Sequence, residues 1–317
     1  MAISVVAMTP TTTNTNRRPL LVVVLGPTGS GKTDLAVALA HHFSTEIIST
    51  DSRQFYKGMP IGTAQPTAEQ LAVVPHHFIA DRLPEEELSA GGYEREALER
   101  LEELFTRHDV VVAVGGSGLY IDALCEGFDD LPSDTREVRE ELMRRLADEG
   151  LEALVEELRV RDEAYWAVVD RKNPARIVRA LEVCITSGLP YSSQRTATKR
   201  ERPFDVVKLG VLWDREELYD RINRRVDMMV AEGLEEEARG VFHLRHLSSL
   251  QTVGYREFFD YFDGTISREE AIDLVKRNSR RYAKRQMTWF RRDTSTRWLA
   301  PNDTAGAIEI VNEALDR

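Results

Sequence analysis

Cysteine is scarce in this chain: two in 317 residues, Cys125 and Cys184, each without a second Cys or a His at metal-ligand spacing. Neither a disulfide framework nor a zinc site is expected, and a reducing, cytoplasmic setting is. Long apolar runs are missing as well. None approaches the roughly 20 residues that span a bilayer, so no membrane segment is expected. Internal repeats are absent, which removes solenoids and propellers. Positive charge is in deficit, with a formal net charge of -11, and this argues against a protein that coats nucleic acid indiscriminately. What the chain does have is apolar mass. Hydrophobic residues make up 42%, with 11 Phe, 9 Tyr and 4 Trp, enough for packed cores and too much for a disordered chain. The length suits two modules.

The charge is unevenly placed. Between Lys276 and Arg292 stand eight Lys or Arg and no acid, and on an acidic protein such a run favours contact with an anion over a merely solvated face. The first residues, MAISVVAMTPTTTNTNRRPL, put their positive charge after the apolar patch, the reverse of a secretory signal. Residues 1–19 are expected to be a disordered lead-in.

Three short apolar runs, LLVVVL, EIIST and DVVVAV, alternate with helical stretches. Strand, helix, strand in this order predicts an α/β fold with a doubly wound parallel sheet and right-handed crossovers. From Leu131 to about Arg202 the pattern changes to charged amphipathic helices, and VVKLGVLW then restores a strand. The expected organisation is a core of residues 20–130 and 203–317 with a helical insertion at 131–202. Leu218, Ile222, Val226 and Met229 fall on one helical stripe, read as core. Ser267 with Glu270 three residues later marks the start of a long helix.

GPTGSGKT, residues Gly26, Pro27, Thr28, Gly29, Ser30, Gly31, Lys32 and Thr33, matches the G-x-x-x-x-G-K-[ST] phosphate loop and sits where it must, after a strand and before a helix. Its glycines let backbone N–H groups converge on phosphate oxygens, the helix end adds its dipole, and Lys32 adds charge. Thr33 offers a hydroxyl to magnesium. The loop does not say which phosphate compound it holds. An ATPase usually ends a further apolar strand in Asp, whereas VVVAV ends in glycine, so the available strand-end acid is Asp51. Asp51 is followed by Ser52, Arg53 and Gln54. It suits a general base, a metal ligand, or a carboxylate that only closes a turn.

In order along the chain, GPTGSGKT, STDSRQFYKGMPIGTAQPT, PHHFI, VGGSGLY, NPARIVRALEV, VGYREF and RRYAKRQMTWFRR resemble the tRNA dimethylallyltransferases, or tRNA isopentenyltransferases, of bacterial type. The resemblance covers about Leu21 to Arg292. It implies transfer of a dimethylallyl group from dimethylallyl diphosphate to N6 of the adenosine 3′ of the anticodon, in tRNAs that read codons beginning with U, with magnesium present. It implies a P-loop fold, the tRNA anticodon arm as partner, and a helical insertion that grips it; the working form is expected to be a monomer.

Carried over by position, the resemblance makes Asp51 the base and Ser117, where the family usually has Thr, a catalytic hydroxyl. Ser52, Arg53 and Gln54, Arg139, the run Ala175, Arg176, Ile177, Val178 and Arg179, and the run Gln251, Thr252, Val253, Gly254, Tyr255 and Arg256 fall at positions associated with tRNA contact. Gln often stands where this chain has Ala175, so Arg176 and Arg179 are the stronger expectations. Gly29 replaces a common Ala, a change expected to matter little. Tyr282, Trp289 and Phe290 are expected in the core, and His76 and His77 in structural roles. Three other readings remain: a P-loop nucleotide or small-molecule kinase, prenylation of free adenosine phosphates, and a nucleotide-gated switch, which should carry an Asn-Lys-x-Asp segment that this chain lacks.

Overall fold

The computed structural model describes residues 18–129, 131–132, 135–195 and 199–316. The expected lead-in falls mostly on residues 1–17, outside the described residues. Among the described residues, six strands form one all-parallel sheet: β1 (Leu20–Leu25), β2 (Ile47–Ser49), β3 (His76–His77), β4 (Val110–Gly115), β5 (Asp205–Val211) and β6 (Arg297–Leu299), in the order β3-β2-β4-β1-β5-β6. The expected α/β doubly wound sheet is observed. β1 is central, paired with β4 on one side and β5 on the other, and every residue of β1 and β4 is buried. Their unbroken valine runs follow from that position, since helices cover both faces of a parallel sheet.

Four helices accompany the first four strands: α1 (Lys32–His42), α2 (Ala68–Val73), α3 (Ala90–Phe105) and α4 (Gly118–Glu126). Side chains of β1 alternate between two cores. Leu21, Val23 and Leu25 join Tyr93, Ala97 and Leu101 of α3, while Val22 and Val24 join Leu35, Ala36 and Leu39 of α1. α5 (Arg136–Asp148), α6 (Leu151–Arg161), α7 (Glu163–Val168), α8 (Pro174–Ser187) and α9 (Tyr191–Gln194) belong to a second compact unit, Glu126–Glu201, with a core of its own that includes Leu142, Leu154, Leu158, Ile177 and Leu181. Its first residue lies a few positions before the expected Leu131.

The first unit resumes at Arg202, whose guanidinium donates to the Leu124 carbonyl at 3.0 Å and to Glu94 at 2.7 Å. It continues through α10 (Arg215–Ala231), α11 (Leu234–Gly240), α12 (Arg256–Phe262), α13 (Arg268–Phe290) and α14 (Thr304–Leu315). The Ser267 hydroxyl accepts from the Glu270 N–H at 3.1 Å and so caps α13. His77 bonds Glu46 at 2.7 Å and His76 bonds the Val74 carbonyl at 2.8 Å, which are structural contacts on the edge strand. No helix among the described residues is long and apolar enough to cross a membrane.

Candidate active site

Ligands of open α/β sheets sit beyond the carboxyl ends of the strands, and three segments meet there: the P-loop after β1, Thr50 to Gln54 after β2, and Gly115 to Ser117 after β4. The P-loop is braced from outside. Its Gly29 carbonyl accepts from Arg221 Nε at 3.0 Å and its Ser30 carbonyl from Trp213 Nε1 at 2.8 Å. The loop leads directly into α1, whose positive dipole end suits an anion. Gly31, the residue before α1, takes φ 83° and Gly29 φ 80°. Both are left-handed conformations that glycine adopts without strain. An alanine at Gly29 would be strained, and its Cβ would come to 3.1 Å from Ile222 Cγ1.

Cations converge on the loop. Lys32 and Arg221 line a cleft of about 360 Å³ with Thr33, Asp34 and Arg225. Arg225 donates to the Thr28 hydroxyl at 2.9 Å. Burial draws the Lys32 ammonium down to about 8; the Asp51 carboxylate opposes this shift, and Arg225 adds to it. Burial also lowers Arg225, again against Asp51. A site holding two desolvated cations beside one carboxylate carries a positive excess that a diphosphate would neutralise.

Arg225 also lines an adjoining cavity of about 80 Å³, together with Thr28, Asp51, Arg53, Tyr282 and Gln286. Asp51 Oδ1 accepts from the Arg53 N–H at 3.1 Å, so one carboxylate oxygen closes the turn. Ser117, which is buried, donates to Ser52 Oγ and accepts from the Ser52 N–H, both at 3.0 Å. Its hydroxyl is thus fixed without the methyl that threonine would supply.

The remaining expected residues separate into several groups. Arg53 lines the cavity and donates to the Ser248 carbonyl at 2.9 Å. The Gln54 amide donates to the Ala64 carbonyl at 2.7 Å and to Thr63, so it braces its own loop. Thr252, Val253 and Gly254 line the cavity, and Gln251 and Arg256 are exposed. Tyr255, Ile177 and Val178 are buried, at 0%, 0% and 1% exposure, so their side chains do not face solvent. Tyr255 instead donates to Glu237 at 2.7 Å, and the same carboxylate accepts from the Ile61 and Gly62 N–H groups. In the second unit Ala175 and Arg176 are exposed. Arg139 and Arg179 both hold the buried Glu182, at 2.7 and 3.0 Å, so each carries a structural duty.

Several site residues escaped the sequence reading. Gln286 on α13 accepts from the Thr28 N–H at 2.9 Å and donates to the Gly116 carbonyl at 2.8 Å, joining the P-loop to the loop after β4. Tyr282, expected in the core, lines the cavity; burial pushes its phenol up to about 12, Asp51 adds to the rise, and a bond to Ser117 works against it. Phe290 is core, and Trp289 packs beside it with its indole N–H on Asp122. No local signal marks Gln286, Arg221 or Arg225, which come to the P-loop from helices about 190 to 260 positions away. The basic run on α13 divides: Lys276 pairs with Asp227 and Arg280 bonds Asn223, while Arg277, Arg281, Lys284 and Arg285 form an exposed stripe.

Comparison with known proteins agrees with this geometry. Residues 54–293 match the family model described as IPP transferase. A protein called tRNA dimethylallyltransferase 1 from Phocaeicola vulgatus is 50% identical over 292 residues, 92% of this chain and 97% of that protein. One of the same description from Porphyromonas gingivalis is 51% identical over 288 residues, 91% and 96% of the two chains. Among solved structures, a full-length tRNA isopentenylpyrophosphate transferase from Bacillus halodurans superposes with a TM-score of 0.69 at 39% identity, covering 95% of this chain and 96% of that one. A matched region of that extent and relatives so similar over nearly their whole length place the chain in the IPP transferase family.

Proposed function

We propose that this protein transfers a dimethylallyl group from dimethylallyl diphosphate to N6 of the adenosine on the 3′ side of the anticodon, in tRNAs that read codons beginning with U, and releases diphosphate. The observation that carries the reading is the shared boundary of two spaces. Arg225 lines both the P-loop cleft and the cavity that holds Asp51, so a diphosphate on the loop puts its first carbon beside a carboxylate.

The exocyclic amine of adenine is a weak nucleophile, because its lone pair is delocalised into the ring. As N6 bonds to the allylic carbon, the carbon–oxygen bond to diphosphate breaks, its electron pair leaves with the diphosphate, and the N6 proton passes to Asp51. The P-loop amides, Lys32 and Arg225 stabilise the charge that grows on the leaving group. Ser117, set by Ser52, orients the incoming base. The adenosine must leave its loop to reach this cavity.

Magnesium fits the donor set. The described residues hold no cluster of three His, Cys, Asp or Glu, which suits an ion carried largely by phosphate oxygens and water. Thr33 would contribute its hydroxyl, and the buried Ser30 Oγ, which lacks a hydrogen-bond partner, lies in the same loop. Such an ion lowers the charge of the leaving diphosphate.

The exposed stripe on α13 and Arg176 on α8 are the surfaces that suit tRNA phosphates. The protein works as a monomer in the cytoplasm. The test is direct: purified protein, unmodified tRNA, magnesium and dimethylallyl diphosphate are incubated, and the digested nucleosides are weighed. An adenosine heavier by one dimethylallyl group, formed without ATP, supports the reading. ATP consumption with phosphate appearing on an acceptor would favour the kinase alternative.

A further inference from the structure

The cavity beside Asp51 is lined by both polar and apolar side chains. Thr28, Asp51, Arg225 and Gln286 are among the polar ones, and Ile222, Val226, Met229, Leu234 and Val275 form the apolar wall. If diphosphate lies on the P-loop and its allylic carbon beside Asp51, the hydrocarbon tail has that apolar wall to lie along. Helix α10 supplies a scale for its depth.

Ile222 stands against the P-loop at Gly29, and Val226 and Met229 follow it on the same buried face. At a rise of 1.5 Å per residue, Val226 lies about 6 Å and Met229 about 10 Å beyond Ile222 along the axis. The tail of a dimethylallyl group spans three carbon–carbon bonds, about 4 Å at roughly 1.5 Å per bond. One more isoprene unit adds about 5 Å. Laid along that wall from Ile222, the shorter tail would end near Val226. The longer one runs into Met229, which is 8% exposed and packed in one apolar cluster with Leu234 at 0% and Val275 at 2%.

We infer that Met229, backed by Leu234 and Val275, is a specificity-determining stop that limits the donor to a single isoprene unit. The inference rests on the donor reading proposed above and adds to it the residue that sets chain length. Methionine suits a stop: it is unbranched and fills the end of an apolar space without a polar atom to satisfy. Truncation to alanine removes three heavy atoms at the depth where the second unit would begin.

The experiment compares dimethylallyl and geranyl diphosphates as donors to the same tRNA, with products identified by mass, for wild type, Met229→Ala and Met229→Val. Circular dichroism checks folding, and the valine variant covers the case in which the alanine variant fails to fold. Wild type should prefer the shorter donor by about 100-fold in kcat/KM, and Met229→Ala should shift the ratio toward geranyl by about tenfold or more, with the valine variant between. A wild type that uses both donors equally, or a ratio unmoved in folded variants, would overturn the assignment while leaving the donor reading intact. Wild type inert toward dimethylallyl diphosphate would remove the donor reading and this inference with it.

Discussion

Lys32 illustrates how one residue's surroundings set a measurable property. Its ammonium is drawn down to about 8 by burial, with Arg225 adding and Asp51 opposing. Below about pH 8 the lysine is protonated both free and with a bound anion, so it adds no pH dependence to binding. Above that value binding must take up a proton, and affinity for a non-reactive thiolodiphosphate analogue should fall by up to about tenfold per pH unit. Calorimetry across pH 7 to 9.5 measures this; Lys32→Met should bind weakly at every pH and lose the slope. Gln286 makes a second residue-scale case. Gln286→Ala leaves the Thr28 N–H and the Gly116 carbonyl without their partner, at a cost of about 1–3 kcal/mol. Turnover should fall, and Gln286→Glu, which can accept from Thr28 but not donate to Gly116, should fall between alanine and wild type. Equal turnover in all three would show that the bridge is dispensable.

At the scale of elements, β1, β4 and the P-loop were legible because burial on both faces writes an unbroken apolar run, and the loop's glycines follow it directly. The edge strands were not. β3 is two residues long and β6 three, too short for any periodicity, and their pairing depends on neighbours far along the chain. The stripe on α10 was legible as a buried face, but its dual use was not: Ile222, Val226 and Met229 are core residues that also wall the cavity. Asp51 was visible as a strand-end acid, whereas the arginines reaching the P-loop depend on how α10 lies across it. That placement predicts an element-level effect. Arg225→Met should weaken binding of the donor analogue by about tenfold or more, as expected when a charge-assisted bond is lost, and leave tRNA affinity within about twofold of wild type. A tRNA affinity that falls in parallel would contradict the division.

For the molecule as a whole, two compact units are proposed to share the work, the second combining a structural role with tRNA recognition. Arg139 and Arg179 hold Glu182, which is 1% exposed, whereas Arg176 is exposed on the same unit. Arg176→Ala should therefore lower tRNA affinity and reduce its salt slope by about one with an unchanged melting temperature. Arg179→Ala should lower stability by about 2 kcal/mol, because a buried carboxylate loses one of its two partners. Titration of tRNA at several salt concentrations, with thermal melts, separates the two effects. tRNA and donor are proposed to meet at Asp51. Rapid-quench single turnover of wild type and Asp51→Asn, with both substrates saturating, tests it most directly. The expected result for Asp51→Asn is a chemical step slower by about 10²–10⁴-fold with both substrates still bound. A single-turnover rate near that of wild type would contradict it and remove Asp51 from the role of base.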